Sequence, residues 1–187
     1  MLLTGACGTI GSVLRPALRD GLDELRLSDL EAPGDGLRAS ETFIAADLTD
    51  KAAVQRAVEG VDAVVHLGAV PDEAPFEQIA GPNLHGAFHV FEACRRAKVR
   101  RVVFASSNHA SGMYPVGESL DGQQPPRPDG LYGASANTRR WWPADEAVGY
   151  EPQDNAEDFA DEIEDKGEDF RYQGGHNAAP GHGGWAT

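Results

Sequence analysis

The sequence predicts an α/β fold: a doubly wound parallel sheet of five strands with helices on both faces. Three observations predict it. A glycine-rich turn joins the first apolar run to the first helical pattern, an acid closes the second apolar run, and apolar and amphipathic segments alternate as far as Ser107. Parallel strands need crossover segments of this kind, and their ligands bind at the strand C-terminal ends.

Each element follows from its residues. Met1 to Leu3 is the first strand, and Thr4-Gly-Ala-Cys-Gly-Thr-Ile-Gly11 is the turn. Ser12-Val-Leu-Arg-Pro-Ala-Leu18 continues as a helix. In such a turn Gly5 permits the reversal, Gly8 lets the backbone approach phosphates, and Gly11 lets the helix pack closely on the strand. Three spaced glycines also occur in plain turns, so the next residues decide. Leu25-Arg-Leu-Ser-Asp29 is a second strand ending in a carboxylate. In a nucleotide-binding βαβ unit, an acid there accepts hydrogen bonds from the adenosine ribose and repels a 2′-phosphate, favouring NAD over NADP. Thr42 to Leu48 is the third strand. Asp50 precedes the helix Lys51 to Glu59, whose Ala53, Val54, Ala57 and Val58 share one face. Ala63 to Ala69, apolar on both faces, is a central fourth strand. Ala87 to Ala97 is a helix, and Arg101 to Ser107 a fifth strand ending in two hydroxyls.

The motifs T-G-A-C-G-T-I-G, S-D-L, A-D-L-T-D, H-L-G-A, F-A-S-S-N-H and P-D-G-L-Y-G resemble those of the extended short-chain dehydrogenase/reductase family, also described as NAD-dependent epimerase/dehydratases. Within it they are most similar to the uronate dehydrogenases. The resemblance covers residues 1 to about 133. It implies a Rossmann-like sheet of order 3-2-1-4-5 and hydride transfer from a sugar acid to NAD. Its cofactor positions fall on Gly5, Gly8, Thr9, Ile10, Gly11, Asp29, Asp47, Leu48, Leu67, Gly68, Ala69 and Ser106. Ser107 and Tyr132 match the catalytic serine and tyrosine, and Ser107, Asn108 and His109 match sugar-acid contacts. No metal is implied.

The chain also departs from that pattern. The family's Y-x-x-x-K is here Tyr132-Gly-Ala-Ser-Ala136. Without an ammonium beside it, a phenol is a poor base at neutral pH: about one molecule in a thousand is ionised, a deficit of about 4 kcal/mol. Lys51, Lys98 and Lys166 are not placed to substitute, and Arg139 and Arg140, two helical turns on, cannot shuttle a proton. Pro71 stands where uronate dehydrogenases tend to carry a serine. Beyond Tyr132 the sequence passes to a segment similar to the family's far C-terminal end, which implies that the tyrosine's helix and most of the substrate lobe are absent. The expected organisation is an NAD-binding domain over 1–133, an acidic remnant of the substrate region over 134–172, and a glycine-rich disordered tail over 173–187. A short helix is expected over Ala156 to Ile163.

Composition narrows the function classes. Sixteen Lys and Arg face thirty Asp and Glu, a formal charge of −14, which argues against a nucleic-acid groove. Acids in such excess, with few lysines, suit concentrated salt and suggest a halophilic source; a local acidic interaction tail between Asp145 and Asp169 is the other reading. Neither a membrane span nor a signal-peptide pattern is expected, so the chain reads as cytoplasmic. Cys7 and Cys94 read as small buried residues. His85 and His89, four apart on a helix, and His176 and His182 in the tail read as structural or solvated rather than as metal ligands. A second copy of the chain is expected to cover exposed core. Three functions remain: a uronate-dehydrogenase-type oxidoreductase, a non-catalytic NAD-binding remnant with a structural or regulatory role, and a relative of sugar-nucleotide epimerases or dehydratases.

Overall fold

A computed structural model describes residues 1–120 and 124–136. The expected acidic remnant and tail, apart from its first residues, together with Arg139, Arg140, the helix over Ala156 to Ile163, His176 and His182, lie outside the described residues.

Five parallel strands run β1 (Leu2–Thr4), β2 (Leu25–Asp29), β3 (Glu41–Ala45), β4 (Ala63–His66) and β5 (Arg101–Phe104), in the order β3-β2-β1-β4-β5. The fold class and strand order are those the sequence predicts. β1 is central, with Leu3 opposite both Leu27 and Val65. Strand alternation sends neighbouring side chains to opposite faces, and each face has its own core. Leu2 joins Val64 and the inner faces of helices α2 (Lys51–Val58) and α4 (Ala87–Ala97). Leu3, Leu25 and Leu27 pack with Leu18, from helix α1 (Thr9–Asp20), and Leu22 just beyond it. These four strand leucines are wholly buried, each contributing about 2–3 kcal/mol.

Strand ends differ from expectation in one direction. β3, β4 and β5 stop at Ala45, His66 and Phe104, short of the apolar runs that continue to Leu48, Ala69 and Ser107. One more amide on each still bonds to the neighbouring strand, Ala46 to the Asp29 carbonyl, Leu67 to Thr4 and Ala105 to His66, and the chain then passes into loops. Apolarity there serves the walls of a cleft rather than a ladder. Helix α2 agrees closely: Asp50 caps it by accepting from the amides of Ala52 (2.8 Å) and Ala53 (3.1 Å), and its four predicted inner residues are buried.

Before α4 the chain is already helical, in α3 (Phe76–Ile79) and a π-helical turn (Ala80–Gly86). Gly81, Pro82 and Gly86 hide this stretch from propensity. Gly86 is needed because a Cβ there would lie 2.7 Å from Leu48 Cβ. Helix α5 (Leu131–Ser135) carries Tyr132. The expectation that the tyrosine's helix is absent is corrected to this extent: its first turn forms, nucleated by a distant carboxylate described below.

One buried ion pair fixes α1 over the sheet. Arg15 Nε and Nη2 donate to Glu41 Oε1 (2.8 Å) and Oε2 (2.6 Å), while Nη1 reaches Asp35 (2.6 Å) and Nη2 also reaches the Gly36 carbonyl (2.6 Å). Arg15 and the Arg38 amide hold the Glu41 carboxyl down to about 2. Its share of stability is therefore complete above the ordinary carboxylate range and is lost as pH falls toward 2. Breaking a buried pair strands the other charge, so Glu41→Ala is expected to cost about 3–5 kcal/mol in urea unfolding. The surface cluster of Glu92 with Arg95 and Arg96 provides the control, with Glu92→Ala expected to cost far less. Equal losses in the two variants would contradict this account of the pair.

Candidate functional site

The loops after β1, β2, β3, β4 and β5 surround one cleft of about 700 Å³ at the strand C-terminal ends. Its floor is built from glycine. After Thr4 the chain reverses at Gly5, whose φ of 65° lies in the left-handed region. A Cβ on Gly5 would come within 2.7 Å of the Gly68 amide, and a Cβ on Gly11 would overlap the Gly5 carbonyl oxygen. The turn of α1 therefore closes onto the loop's own backbone rather than onto the strand, a refinement of what the spacing suggests. Gly8 starts α1 without a side-chain cap, and the first turn holds no acid. The Ser12 amide is the first to bond back, to the Gly8 carbonyl at 2.9 Å. The amides of Thr9, Ile10 and Gly11 precede it and form the positive end of the helix. α2 differs, since Asp50 occupies its amides.

Across the floor stands Asp29. Its Oδ2 accepts from the Cys7 amide (2.9 Å) and its Oδ1 from the Leu30 amide (2.8 Å), which leaves further lone pairs on both oxygens. These bonds overturn the expectation that Cys7 is buried. Tying its amide to Asp29 turns the thiol outward, where Sγ donates to the Glu31 carbonyl at 3.3 Å. Cys94 is buried as expected, and burial pushes its thiol up to about 11. Asp47 accepts from the Thr49 amide (2.8 Å) and hydroxyl (2.7 Å), bonds that hold its carboxyl below the ordinary range. Leu48, Leu67, Gly68 and Ala69 complete this half of the wall.

The other half is formed by Ser106, Tyr132, Ser135 and Ala136, with Asn83 behind them. Ser106 Oγ donates to the Ala136 carbonyl at 2.8 Å. Ala136, the fourth residue past Tyr132, is buried. Every predicted cofactor position and Tyr132 lie on this cleft; Ser107, Asn108 and His109 do not line it. They start a 3-10 turn (Asn108–Ser111) in which Ser107 Oγ accepts from the His109 amide at 3.2 Å. The turn packs beside α5, and the His109 ring meets the Tyr132 ring edge-on with centroids 5.6 Å apart.

Three supporting residues escape a sequence reading. Asn83 pairs with both the amide (2.8 Å) and the carbonyl (3.0 Å) of Val70 and donates to Ser135 Oγ (3.0 Å). Glu73 accepts from the amides of Leu131 (2.9 Å) and Tyr132 (3.0 Å), capping α5 from far along the chain. Asp129 Oδ2 lies 2.6 Å from His109 Nδ1. Only Asp129 carries a local signal, its place in the P-D-G-L-Y-G motif.

His66, at the end of β4, is buried with Nδ1 2.6 Å from Thr4 Oγ1 and its ring edge-on to Phe104. Burial alone pushes it down to about 4, so it is neutral at physiological pH. His89 Nδ1 donates to the Leu48 carbonyl at 2.8 Å, tying α4 to the cleft wall, whereas His85 is exposed. Among the described residues no cluster of three metal-ligating side chains occurs, and no helix is long and apolar enough to cross a membrane.

Comparison with known proteins adds to this geometry. A profile of the NAD dependent epimerase/dehydratase family matches residues 1–143. A uronate dehydrogenase of Pseudomonas putida is 50% identical over 135 residues, covering 72% of this chain and 50% of the relative. A crystal structure of a mutant uronate dehydrogenase from Agrobacterium tumefaciens complexed with NAD aligns with TM-score 0.69 at 45% identity, over 72% of this chain and 51% of that one. The glucuronic acid dehydrogenase of Chromohalobacter salexigens aligns with TM-score 0.82 at 30% identity, over 97% of both chains. The chain spans about half the length of the curated relatives it matches.

His66 makes stability depend on pH with a definite sign. Its folded value lies below its unfolded one, so the unfolded chain takes up the extra proton, and stability falls as pH drops from about 6.5 to about 4. The expected loss over that window is about 3 kcal/mol. Urea midpoints of wild type and His66→Gln across the window are expected to differ in slope, the variant being flatter. Parallel slopes would contradict the buried neutral imidazole.

Proposed function

The chain belongs to the NAD dependent epimerase/dehydratase family, and from that membership we propose that it holds NAD in the cleft and acts as an oxidoreductase of the uronate dehydrogenase type on a sugar acid. The observation that carries this reading is the pairing of an uncapped, acid-free helix start with a carboxylate facing it across a glycine floor. A pyrophosphate suits the first and a ribose diol the second.

The residues fit the dinucleotide. Amides of Thr9, Ile10 and Gly11 take the phosphates, and Gly5 and Gly8 keep the floor low enough for contact. Asp29 accepts from the ribose, and its charge excludes a 2′-phosphate. Asp47 and Leu48 take the base side, while Leu67, Gly68, Ala69 and Ser106 form the wall toward the reactive end. When bound, NAD supplies the hydride acceptor. The chain's own work is to hold the sugar and its hydroxyl proton: Tyr132, on the cleft wall, receives the proton, while from the turn beside α5 Ser107 orients the hydroxyl oxygen and Asn108 and His109 hold the sugar acid.

One observation favours a second reading. Ala136 sets a buried methyl near Tyr132, and neither described lysine, Lys51 or Lys98, lines the cleft. Among the described residues no lysine lines the cleft to make the phenol a ready base, and a chain that binds NAD without turnover would leave the same cleft. The acid excess supports concentrated salt as the working medium. Association with a second copy would shield exposed apolar residues such as Val13 and Val103.

Protein, NAD and a panel of hexuronic acids in high salt, followed by the absorbance of reduced nicotinamide, separate the two readings. Sustained turnover supports the oxidoreductase; calorimetric NAD binding without turnover supports the second reading. Asp29→Ala is expected to weaken NAD binding by about 1 kcal/mol or more, on the order of a charge-assisted hydrogen bond. Unchanged affinity would remove Asp29 from the ribose.

A further inference from the structure

Beside Tyr132 the fold buries a carboxylate that the functional reading does not use. The Asp129 side chain is 1% exposed, yet its Oδ2 lies 2.6 Å from Nδ1 of His109, whose ring keeps 22% exposure. An ionised carboxylate has no hydrogen to give, so beside one a shared hydrogen sits on the ring. The backbone repeats the connection: the Asp129 amide donates to the His109 carbonyl at 3.3 Å, and so does the Gly112 amide at 3.3 Å.

Two glycines make room for this pair. A Cβ on Gly112 would overlap the Asp129 carboxylate, and a Cβ on Gly133 would overlap the His109 carbonyl oxygen and lie 3.0 Å from Asp129 Oδ1. Gly133 follows Tyr132 directly, so α5 can pack on the 3-10 turn only where it lacks a side chain. The pair is further clamped by the Arg127 amide donating to the Ala110 carbonyl (3.0 Å) and the Met113 amide donating to the Arg127 carbonyl (2.9 Å). Asp129, His109 and Tyr132 thus form one packed stack, carboxylate to imidazole to phenol ring.

We propose that Asp129 is a positioning residue that keeps a hydrogen on His109 Nδ1, so that Nε2 is left as the ring's contact for a bound sugar and, in the neutral ring, accepts from a sugar hydroxyl. The substrate half of this inference rests on the sugar-acid reading above; the tautomer half does not. The neutral ring then reads a hydroxyl rather than the acid group. Asp129 acts through His109 and touches no reacting atom.

The tautomer is read by nitrogen-15 NMR of labelled protein in mildly alkaline buffer, with His109→Gln identifying the resonance. In wild type the hydrogen is expected on Nδ1. In Asp129→Asn the amide can donate as well as accept, and signal from the Nε2-protonated form is expected to grow. A wild-type ring carrying its hydrogen on Nε2 overturns the proposal without any ligand and without reliance on a variant's folding. The second arm is calorimetry in high salt. Asp129→Asn is expected to weaken glucuronate binding in the presence of NAD about tenfold while NAD affinity stays within about twofold. Unchanged glucuronate affinity, or an equal loss for NAD, overturns the positioning role. If wild type binds NAD but no hexuronate, the sugar-acid reading falls and the substrate half with it, while the tautomer result still decides the other half.

Discussion

The contact on which the rest depends is the seating of the first turn of α1 on the Gly5 carbonyl. Only a residue without Cβ fits at Gly11, and only a left-handed residue turns the chain at Gly5. That close approach puts three amides without intrahelical partners at the mouth of the cleft. Arg15 then locks the helix in place through Glu41 at the start of β3, so that the helix cannot slide without stranding a buried charge. The same geometry explains why α1 lacks the cap that α2 has: an Asp at position 8 would fill the space and neutralise the dipole that a phosphate would meet.

The two halves of the cleft are built differently, and this governs how much of each a sequence reveals. The nucleotide half is local. Its glycines, Asp29 and Asp47 follow directly from strand ends, so periodicity and turn chemistry are enough to find them. The inner face of α2 was legible for the same reason, because a 3.6-residue pattern and an Asp cap act within one helix. Strand ends were less so, since Leu48 and Leu67 are as apolar as strand residues but face a cleft. Cys7 departs from its expected burial because one long-range bond from its amide to Asp29 turns the thiol outward.

The tyrosine half is non-local. α5 begins with Gly130 and contains Gly133, a poor helix by propensity, and it forms because Glu73 satisfies its first amides and Asn83 ties Ser135 to Val70. Neither partner is recognisable from its own neighbourhood. Asp129 is similar: its burial is apparent only once Gly112 and Gly133 are seen to leave room for it. Family resemblance supplied Ser107, Asn108 and His109, and the structure places them on a turn beside α5 rather than on the cleft wall. What the sequence did expose plainly is Ala136, and its methyl is the sharpest constraint on any chemistry at Tyr132.

The most direct measurement is an NAD titration of labelled protein followed through backbone amide resonances. At saturation the amides of Thr9, Ile10 and Gly11 are expected to shift strongly, while those of Ala52 and Ala53, held by Asp50 at the start of α2, stay in place. A titration that leaves the α1 amides unmoved would contradict the account at its root.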